Sequence, residues 1–294
     1  MTTQIIDGKK VADGFLDELS AQLNGPLSAL GRPPGLAVVL VGDNPASQAY
    51  VGMKKKACDR IGIRSFEYRI PAEVSQNELL DLLQGLNQND AVDGILVQLP
   101  LPRHIEESVI LSAIQPDKDV DGFHPENVGK LMLGLPTFAP CTPFGVCQLL
   151  IKTGLSVKGK HVVIVGRSHI VGKPLAALLL QKEAWGDATV TVCHSRSENL
   201  ADLTRQADVV VAALGVPGFI KADMIRPGAV VIDVGISRIT DVSGQSKLVG
   251  DVDYDSVFGK AGWVTPVPGG VGPMTIAMLM HNTVESFRIR MKVA

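Results

Sequence analysis

The chain has 294 residues and a mass of 31.2 kDa, which suits two modest α/β domains better than one small core. Hydrophobic residues make up 46% and charged residues 20% of the chain, so the composition excludes a predominantly disordered protein. The net charge of −2 provides no general attraction to nucleic acid or anionic lipid, and we expect neither partner.

Short β-branched segments bounded by Gly or Pro alternate with helical patterns along the chain. The predicted strands are 36–41, 65–70, 94–99, 161–165, 189–193, 209–213, 230–234 and 247–249. The predicted helices are 46–61, 75–87, 108–114, 143–153, 173–182 and 274–290. Ser75 and Glu78 have capping-box spacing at the start of the second helix. The alternation predicts an α/β fold of two lobes with a cleft between them, the second lobe a Rossmann-like parallel sheet.

The break between the two blocks falls in the loop-rich run after Asp121 and Gly122. We predict one domain over residues 1–123 and a second over residues 124–274. The C-terminal helix, residues 275–294, is expected to pack back on the first domain.

The four cysteines form no CxxC pair and lie in apolar or helical contexts, which predicts buried, reduced thiols. The six histidines have no metal-ligand spacing, so we expect no metal site. The N-terminal sequence lacks the pattern of a signal peptide, and the longest apolar stretch is too short to span a bilayer. These observations predict a cytoplasmic protein.

The segment KGKHVVIVGRSHIVGKPLAALLL reads as strand, turn and helix, the context of a phosphate-binding turn. A Rossmann fingerprint beginning at Gly166 would need glycines where the chain has Ser168 and Val171. A Walker A loop would need Ser or Thr after Lys173, where the chain has Pro174. From this pattern alone, dinucleotide binding and an ordinary strand–helix connection remain equally open.

The end of the next strand favours NADP over NAD. An NAD site usually has an acid there for the ribose 2′-hydroxyl, whereas this strand ends in Cys-His-Ser-Arg. Arg167, Ser195 and Arg196 offer guanidinium and hydroxyl groups that suit a 2′-phosphate. The alternative is that both arginines are solvated surface residues.

Tyr50 and Lys54 lie four residues apart and share one face of the first predicted helix, from which Lys55 and Lys56 turn away. The ring could stack on a flat substrate while the amine transfers protons. We expect the adjacent ammonium groups to lower the pKa of Lys54. From this segment alone, a solvated basic face is the favoured alternative.

Two further polar positions stand out in the first block. Gln98 lies at the end of an apolar strand, where a buried amide needs hydrogen-bond partners and where ligand-facing groups collect. Asp119 and Asp121 lie in the acidic turn PDKDVDGFHP. That turn is either a capped loop or the site of a carboxylate that binds a pair of substrate N–H groups.

The chain resembles the family of bifunctional methylenetetrahydrofolate dehydrogenase/methenyltetrahydrofolate cyclohydrolase. The resemblance covers nearly the whole sequence. It rests on GDNPASQAYVGMKKKA, DGILVQLPLP, PDKDVDGFHPENVGKL, PCTPFGV, GRSHIVGKP, VIDVGI and TPVPGGVGPMT, in that order.

The resemblance implies a role for each candidate residue. Lys54 would be the catalytic group, Gln98 would tune and position it, and Asp121 would bind the pterin ring. Tyr50 would stack on the aminobenzoyl part of the folate and complete the catalytic set. The remaining substrate-binding residues would be Leu99, Pro268, Gly269 and Gly270. The NADP-binding residues would be Gly166, Arg167, Ser168, Ser195, Arg196 and Ile236.

The implied function is NADP-dependent oxidation of 5,10-methylenetetrahydrofolate to 5,10-methenyltetrahydrofolate, followed by hydrolysis to 10-formyltetrahydrofolate. Residues 1–123 would bind folate and residues 124–274 would bind NADP, in a homodimer that serves one-carbon metabolism and purine biosynthesis. The alternatives are a non-catalytic dinucleotide sensor and another NADP oxidoreductase. The chain departs from the family pattern at Ser237, where Asn is common, and in a long turn over residues 183–187.

Overall fold

The computed structural model describes residues 2–240 and 246–293, which form two compact units. The three-stranded unit comprises Asp13–Cys141 and Ile276–Ala294, and the six-stranded unit comprises Met1–Ala12 and Thr142–Thr275. The strands are β1 (Gln4–Ile5), β2 (Gly35–Val41), β3 (Arg64–Ile70), β4 (Gly94–Val97), β5 (His161–Val165), β6 (Thr189–Cys193), β7 (Val209–Ala212), β8 (Val230–Asp233), β9 (Ser237–Thr240), β10 (Ser246–Val249) and β11 (Trp263–Val264). The α-helices are α1 (Gly8–Asn24), α2 (Pro45–Ile61), α3 (Gln76–Gln88), α4 (Glu107–Ser112), α5 (Pro125–Leu133), α6 (Cys141–Lys152), α7 (Gly172–Leu179), α8 (Leu200–Arg205), α9 (Tyr254–Val257) and α10 (Val271–Arg290).

The three-stranded unit contains a parallel sheet in the order β3–β2–β4. Every residue of the central strand β2 is buried, as expected for a parallel strand covered on both faces. Val39 of β2 and Ile95 of β4 belong to a core cluster with Leu79 and Leu83 of α3.

Side-chain caps determine where the helices next to this sheet begin. Asn44 accepts hydrogen bonds from the backbone N–H of Ala46 at 2.9 Å, which starts α2. The predicted capping box at α3 is confirmed: Glu78 N donates to Ser75 Oγ at 3.3 Å, and Ser75 N donates to Glu78 Oε2 at 2.9 Å.

The six-stranded unit contains a parallel sheet in the order β1–β11–β8–β7–β5–β6. Its central strands contribute fully buried side chains such as Val163, Val210 and Val231 to one core cluster. Because all the strands run in the same direction, the loops that follow them emerge at one edge. The predicted α/β class and the Rossmann-like sheet are therefore confirmed.

The sequence missed some elements that the structure contains. Strands β1 and β11 are only two residues long, too short for a periodic pattern. Strand β10, predicted as 247–249, pairs antiparallel with the missed strand β9 outside the main sheet. The helices without a prediction are α1, α5, α8 and α9.

The boundaries of the two units differ from the predicted domains at both ends of the first block. The first residues join the six-stranded unit because β1 pairs with β11. Residues up to Cys141 join the three-stranded unit. There, Asn127 Nδ2 donates to Asp119 Oδ2 at 2.8 Å and to Pro116 O at 2.9 Å.

All four cysteines are free and buried, as predicted. Among the helices of the described residues, none combines the length and the apolar character needed to cross a membrane.

The capping box gives a test of the fold of the three-stranded unit. We expect Ser75→Ala to lower the free energy of unfolding by about 1 kcal/mol, because Glu78 N loses its acceptor. Ser112→Ala is the matched control, since Ser112 Oγ bonds to Ser108 O at 2.7 Å inside an exposed part of α4. Urea unfolding of both variants measures the difference. Equal losses would contradict the assigned cap.

Candidate functional site

Lys54 is buried inside the three-stranded unit despite its charge. It lies on α2, and 8% of the residue is exposed. Its Nζ donates to Gln98 Oε1 at 2.9 Å. A buried amine needs such a partner because burial removes its water.

The neighbouring lysines lie on other faces of α2, as the spacing predicts. Lys55 and Lys56 are exposed, and Lys55 Nζ pairs with Asp59 at 2.8 Å. The solvated basic face therefore exists, but Lys54 is not part of it.

Burial lowers the pKa of Lys54 below its ordinary value. The negative charge of Asp121 opposes part of this fall in pKa. The direction agrees with the prediction, but the predicted cause is wrong: burial lowers the pKa, and the adjacent ammonium groups do not contribute. A lowered pKa increases the fraction of free amine near neutral pH.

Gln98 directly follows β4, where the sheet positions it through a hydrogen bond from its backbone N–H to Val39 O at 2.8 Å. Its side-chain Nε2 donates to Leu99 O at 2.8 Å. Because the amide nitrogen is used in this way, Oε1 faces the amine of Lys54. The half-buried amide thus has the partners that the sequence argument required.

The two aspartates of the acidic turn have different environments. Asp119 accepts hydrogen bonds from the backbone of Phe123 at 3.2 Å and of His124 at 2.7 Å, so it is a loop cap. Burial raises the pKa of Asp121, and the charge of Lys54 acts in the opposite direction. Of the two, only Asp121 interacts with Lys54.

Cys141 is a buried residue that belongs to the same group of side chains, and the sequence argument missed it. Its thiol lies against the Asp121 carboxyl, and its Sγ is 3.4 Å from Val120 O. Burial raises the pKa of this thiol well above its ordinary value, so it is protonated at neutral pH. The motif PCTPFGV was the only signal that could have indicated it.

Tyr50 lies one helical turn before Lys54 and is half-buried, and burial raises its pKa. The other predicted substrate residues, Pro268, Gly269 and Gly270, follow β11 in the six-stranded unit. Gly269 has φ +106°, and its carbonyl accepts a hydrogen bond from Lys9 N at 3.0 Å. The three-stranded unit thus brings together Lys54, Gln98 and Asp121, with Leu99 and Tyr50 next to them in the chain.

The predicted cofactor residues follow the carboxyl ends of three parallel strands. Gly166 follows β5, which has β6 on one side and β7 on the other, so the order of the strands reverses at β5. Dinucleotides bind at such a reversal in parallel sheets. Gly166 has φ +137°, and a Cβ there would lie 2.0 Å from Ala213 O. A Cβ on Gly172 would lie 2.1 Å from Gly166 O. Only glycine allows the backbone to approach this closely, so the two glycines determine the path of the turn between β5 and α7.

Ser168 stabilises the turn before α7, since its Oγ accepts from Val171 N at 3.1 Å. The side chains of Arg167, Ser195 and Arg196 are exposed and have no hydrogen-bond or ionic partner among residues 2–240 and 246–293. Ile236, which follows β8, is 45% exposed although it is apolar. Guanidinium groups without partners beside a glycine turn fit a phosphorylated dinucleotide.

Two buried carboxylates, missed by the sequence analysis, support the loops at this edge. Asp251 Oδ2 accepts from Leu214 N at 2.6 Å and Gly215 N at 2.9 Å, in the loop after β7. Asp233 accepts from Gly235 N at 3.0 Å and from Asp251 N at 2.9 Å. Burial raises the pKa of Asp233 to about 6. Within the described residues, no group of His, Cys, Asp and Glu side chains is arranged to hold a metal ion.

Comparison with known proteins identifies the family. Residues 6–121 match the tetrahydrofolate dehydrogenase/cyclohydrolase catalytic domain, and residues 140–291 match the NAD(P)-binding domain of the same family. The chain belongs to this family. Its predicted activities, oxidation of methylenetetrahydrofolate and hydrolysis of methenyltetrahydrofolate in one-carbon folate metabolism, are thereby confirmed.

The match extends over whole chains. The chain is 57% identical to the bifunctional protein FolD of Desulfovibrio desulfuricans over 97% of this chain and 99% of the relative. The bifunctional enzyme FolD of Campylobacter jejuni has 50% identity and a TM-score of 0.92, covering 98% of this chain and 100% of that one. The FolD of Trypanosoma brucei, solved with NADP cofactor and an inhibitor, has 41% identity and a TM-score of 0.92, covering 98% of each chain.

The glycine turn gives a direct test of the dinucleotide site. We expect Gly172→Ala to weaken dinucleotide binding, because its Cβ would push Gly166 O out of place. Isothermal titration measures the affinity.

Gly154→Ala is the control in the same unit, since Gly154 has φ +74° and open space around it. That change should cost about 1–2 kcal/mol of stability and leave the dinucleotide affinity intact. If Gly172→Ala also binds normally, the turn does not hold the dinucleotide.

Proposed function

We propose that Lys54 is the general acid–base group of the hydrolytic step and that Gln98 holds its amine in place. The observation that carries this proposal is the 2.9 Å hydrogen bond between a buried amine of lowered pKa and an amide whose own orientation is fixed. A proton-transfer group works best when its pKa is near the working pH.

Hydrolysis adds water to the cationic methenyl carbon and then breaks its bond to N5, leaving the formyl group on N10. The free amine of Lys54 takes a proton from the attacking water. The resulting ammonium gives a proton to N5 as the carbon–nitrogen bond breaks, and the hydroxyl on the carbon releases its proton to water as the formyl C=O forms. The negative charge of Asp121 stabilises that ammonium, because it raises the pKa of Lys54.

The dehydrogenase step needs less from these side chains. Bound NADP supplies the acceptor for the hydride of the methylene carbon. The residues of this chain align the substrate, and no strong base is required. Tyr50 stacks on the aminobenzoyl ring, Asp121 accepts hydrogen bonds from the pterin, and Leu99 lines the same site. Pro268, Gly269 and Gly270 contribute further contacts to the substrate.

The predicted cofactor NADP is confirmed by the family's NAD(P)-binding domain and by the Trypanosoma brucei relative solved with NADP. We assign the phosphates of NADP to the turn of Gly166, Arg167 and Ser168. We assign its 2′-phosphate to Ser195 and Arg196, and a flanking contact to Ile236. The six-stranded unit is thus the NADP-binding domain and the three-stranded unit the folate-binding domain.

We further propose a homodimer in the cytoplasm that supplies 10-formyl groups for purine biosynthesis. The net charge of −2 supports the absence of nucleic-acid and membrane partners.

Lys54→Met tests the catalytic proposal. We expect hydrolysis of methenyltetrahydrofolate to fall by about 10²–10⁴-fold, because the variant keeps the apolar stem and loses the amine. The dehydrogenase should lose less activity. The absorbance of the methenyl chromophore, followed by stopped flow, reports both its formation and its decay.

The controls are Lys55→Met and Lys56→Met, which change exposed lysines of the same helix. Both should hydrolyse at close to the normal rate. If Lys56→Met abolishes hydrolysis and Lys54→Met does not, the catalytic residue has been assigned wrongly.

Arg196→Ala tests the choice of cofactor. We expect NADP binding to weaken by about 1.5–3 kcal/mol, the scale of hydrogen bonds to a charged group, with little change for NAD. The control is Arg226→Ala in the same unit, whose guanidinium pairs with Asp208 before β7, at the opposite edge of the sheet. Titration with both cofactors measures the difference. Equal losses for NADP and NAD would overturn the assignment.

A further inference from the structure

Helix α10 carries buried polar side chains that no step of the mechanism uses. Asn282 is 4% exposed and Ser286 is 1% exposed, in a helix whose neighbouring positions hold buried residues such as Leu279, Val284 and Phe287. Buried polar groups in such a helix require hydrogen-bond partners. Their partners are backbone atoms of the three-stranded unit.

Asn282 joins two loops. Its Nδ2 donates to Val120 O at 2.8 Å and to Ala139 O at 3.0 Å. The same nitrogen is 3.8 Å from Cys141 Sγ. Both N–H groups of one amide are thus used to hold two segments that are otherwise distant in the chain.

Each of these two loops leads directly to a group that influences the pKa of Lys54. Val120 immediately precedes Asp121, and Cys141 lies two residues beyond Ala139. The charged or ionisable groups that influence the Lys54 amine are Asp121, Cys141 and Cys58. Asn282 bonds the residue that precedes Asp121 and lies beside the Cys141 thiol, and it forms no hydrogen bond with the Lys54 amine or with Gln98.

We propose that Asn282 is a positioning residue, which holds the loop of Asp121 against the segment that leads into α6 at Cys141 and so sets the place of the Asp121 carboxylate relative to the Lys54 amine. This inference rests on the roles proposed above for Lys54 and Asp121. It assigns to the C-terminal helix a part in catalysis that acts through backbone carbonyls.

Ser286 provides a matched control on the same helix, one turn later. Its Oγ lies 2.6 Å from Asp93 O and 2.7 Å from Asp117 O. Its single hydroxyl proton is donated to one of these two carbonyls at a time, so Ser286 also ties α10 to backbone carbonyls of the same unit. Its partners are Asp93, just before β4, and Asp117, near the start of the acidic turn and four residues before Asp121.

The experiment compares Asn282→Ala with Ser286→Ala in the full-length enzyme. We expect Asn282→Ala to lower kcat for hydrolysis roughly 10- to 100-fold, the effect of small displacements at a catalytic group. Its KM for methylenetetrahydrofolate should rise, because Asp121 is displaced, while its KM for NADP stays normal. Ser286→Ala should lose stability and keep all three constants.

The pH profile separates positioning from structural support. The Asp121 carboxylate raises the pKa of Lys54, so its displacement removes that effect. The limb of the kcat profile that reports the amine should therefore move to lower pH in Asn282→Ala and stay in place in Ser286→Ala. If both variants lose activity in parallel with their thermal midpoints and neither profile moves, Asn282 is a structural anchor only and the proposal is wrong.

Asn282→Ser covers the case in which the alanine variant does not fold. Its hydroxyl keeps one donor, and we expect shifts in the same direction but smaller. A normal profile and a normal folate KM in this variant would overturn the proposal. A separate result tests the assignment of Lys54: if the Lys54→Met variant still hydrolyses methenyltetrahydrofolate, that assignment is wrong.

Discussion

The burial of one amine is the constraint on which the rest of the three-stranded unit depends. Moving an ammonium group out of water is costly, and here burial lowers the pKa of Lys54. The surroundings must then serve both the neutral and the charged form. Gln98 Oε1 accepts a hydrogen bond from either form, and Asp121 supplies the charge that makes the ammonium tolerable. The hydrogen bond from Gln98 Nε2 to Leu99 O fixes the orientation of the amide, so that Oε1 faces the amine.

A different constraint governs the six-stranded unit. Parallel strands leave unpaired backbone N–H groups in the loops at their carboxyl edge, and buried N–H groups need acceptors. Asp233 and Asp251 supply these acceptors for the loops after β8 and β7. Asp251 thereby holds the loop that directly follows Ala213, whose carbonyl lies so close to Gly166 that a Cβ would not fit between them. The exposed arginines then remain available for a ligand.

The sequence predicted the fold well because its signals are local. Buried parallel strands form continuous β-branched runs, and the capping box of Ser75 and Glu78 involves residues three positions apart. The face of α2 that carries Lys54 followed from helical periodicity in the same way. Strands β1 and β11 gave no such signal, because two residues form a strand only when a distant partner pairs with them.

The burial of a side chain depends on contacts between residues that are distant in the sequence, and these contacts cannot be read from a local pattern. Lys54 meets Gln98 across 44 positions, and Asn282 meets Val120 across 162. From its own segment, Lys54 was better explained as part of a solvated face. The resemblance to a family, not the spacing, indicated its role. The cause of its lowered pKa could not be deduced either, because burial is a property of the fold.

The buried polar residues of both units follow one rule, which depends on the backbone atoms that each loop presents. Where carbonyls converge, the fold places donors: Lys118 Nζ bonds to Leu86 O and Asn89 O, and Asn282 bonds to two further carbonyls. Where N–H groups converge, it places carboxylates, as at Asp119 and Asp251. Asp121 departs from this rule, since among the described residues its carboxyl accepts no backbone N–H hydrogen bond and interacts with Lys54 and Cys141 instead. A carboxylate that the backbone does not need is one that a substrate can use.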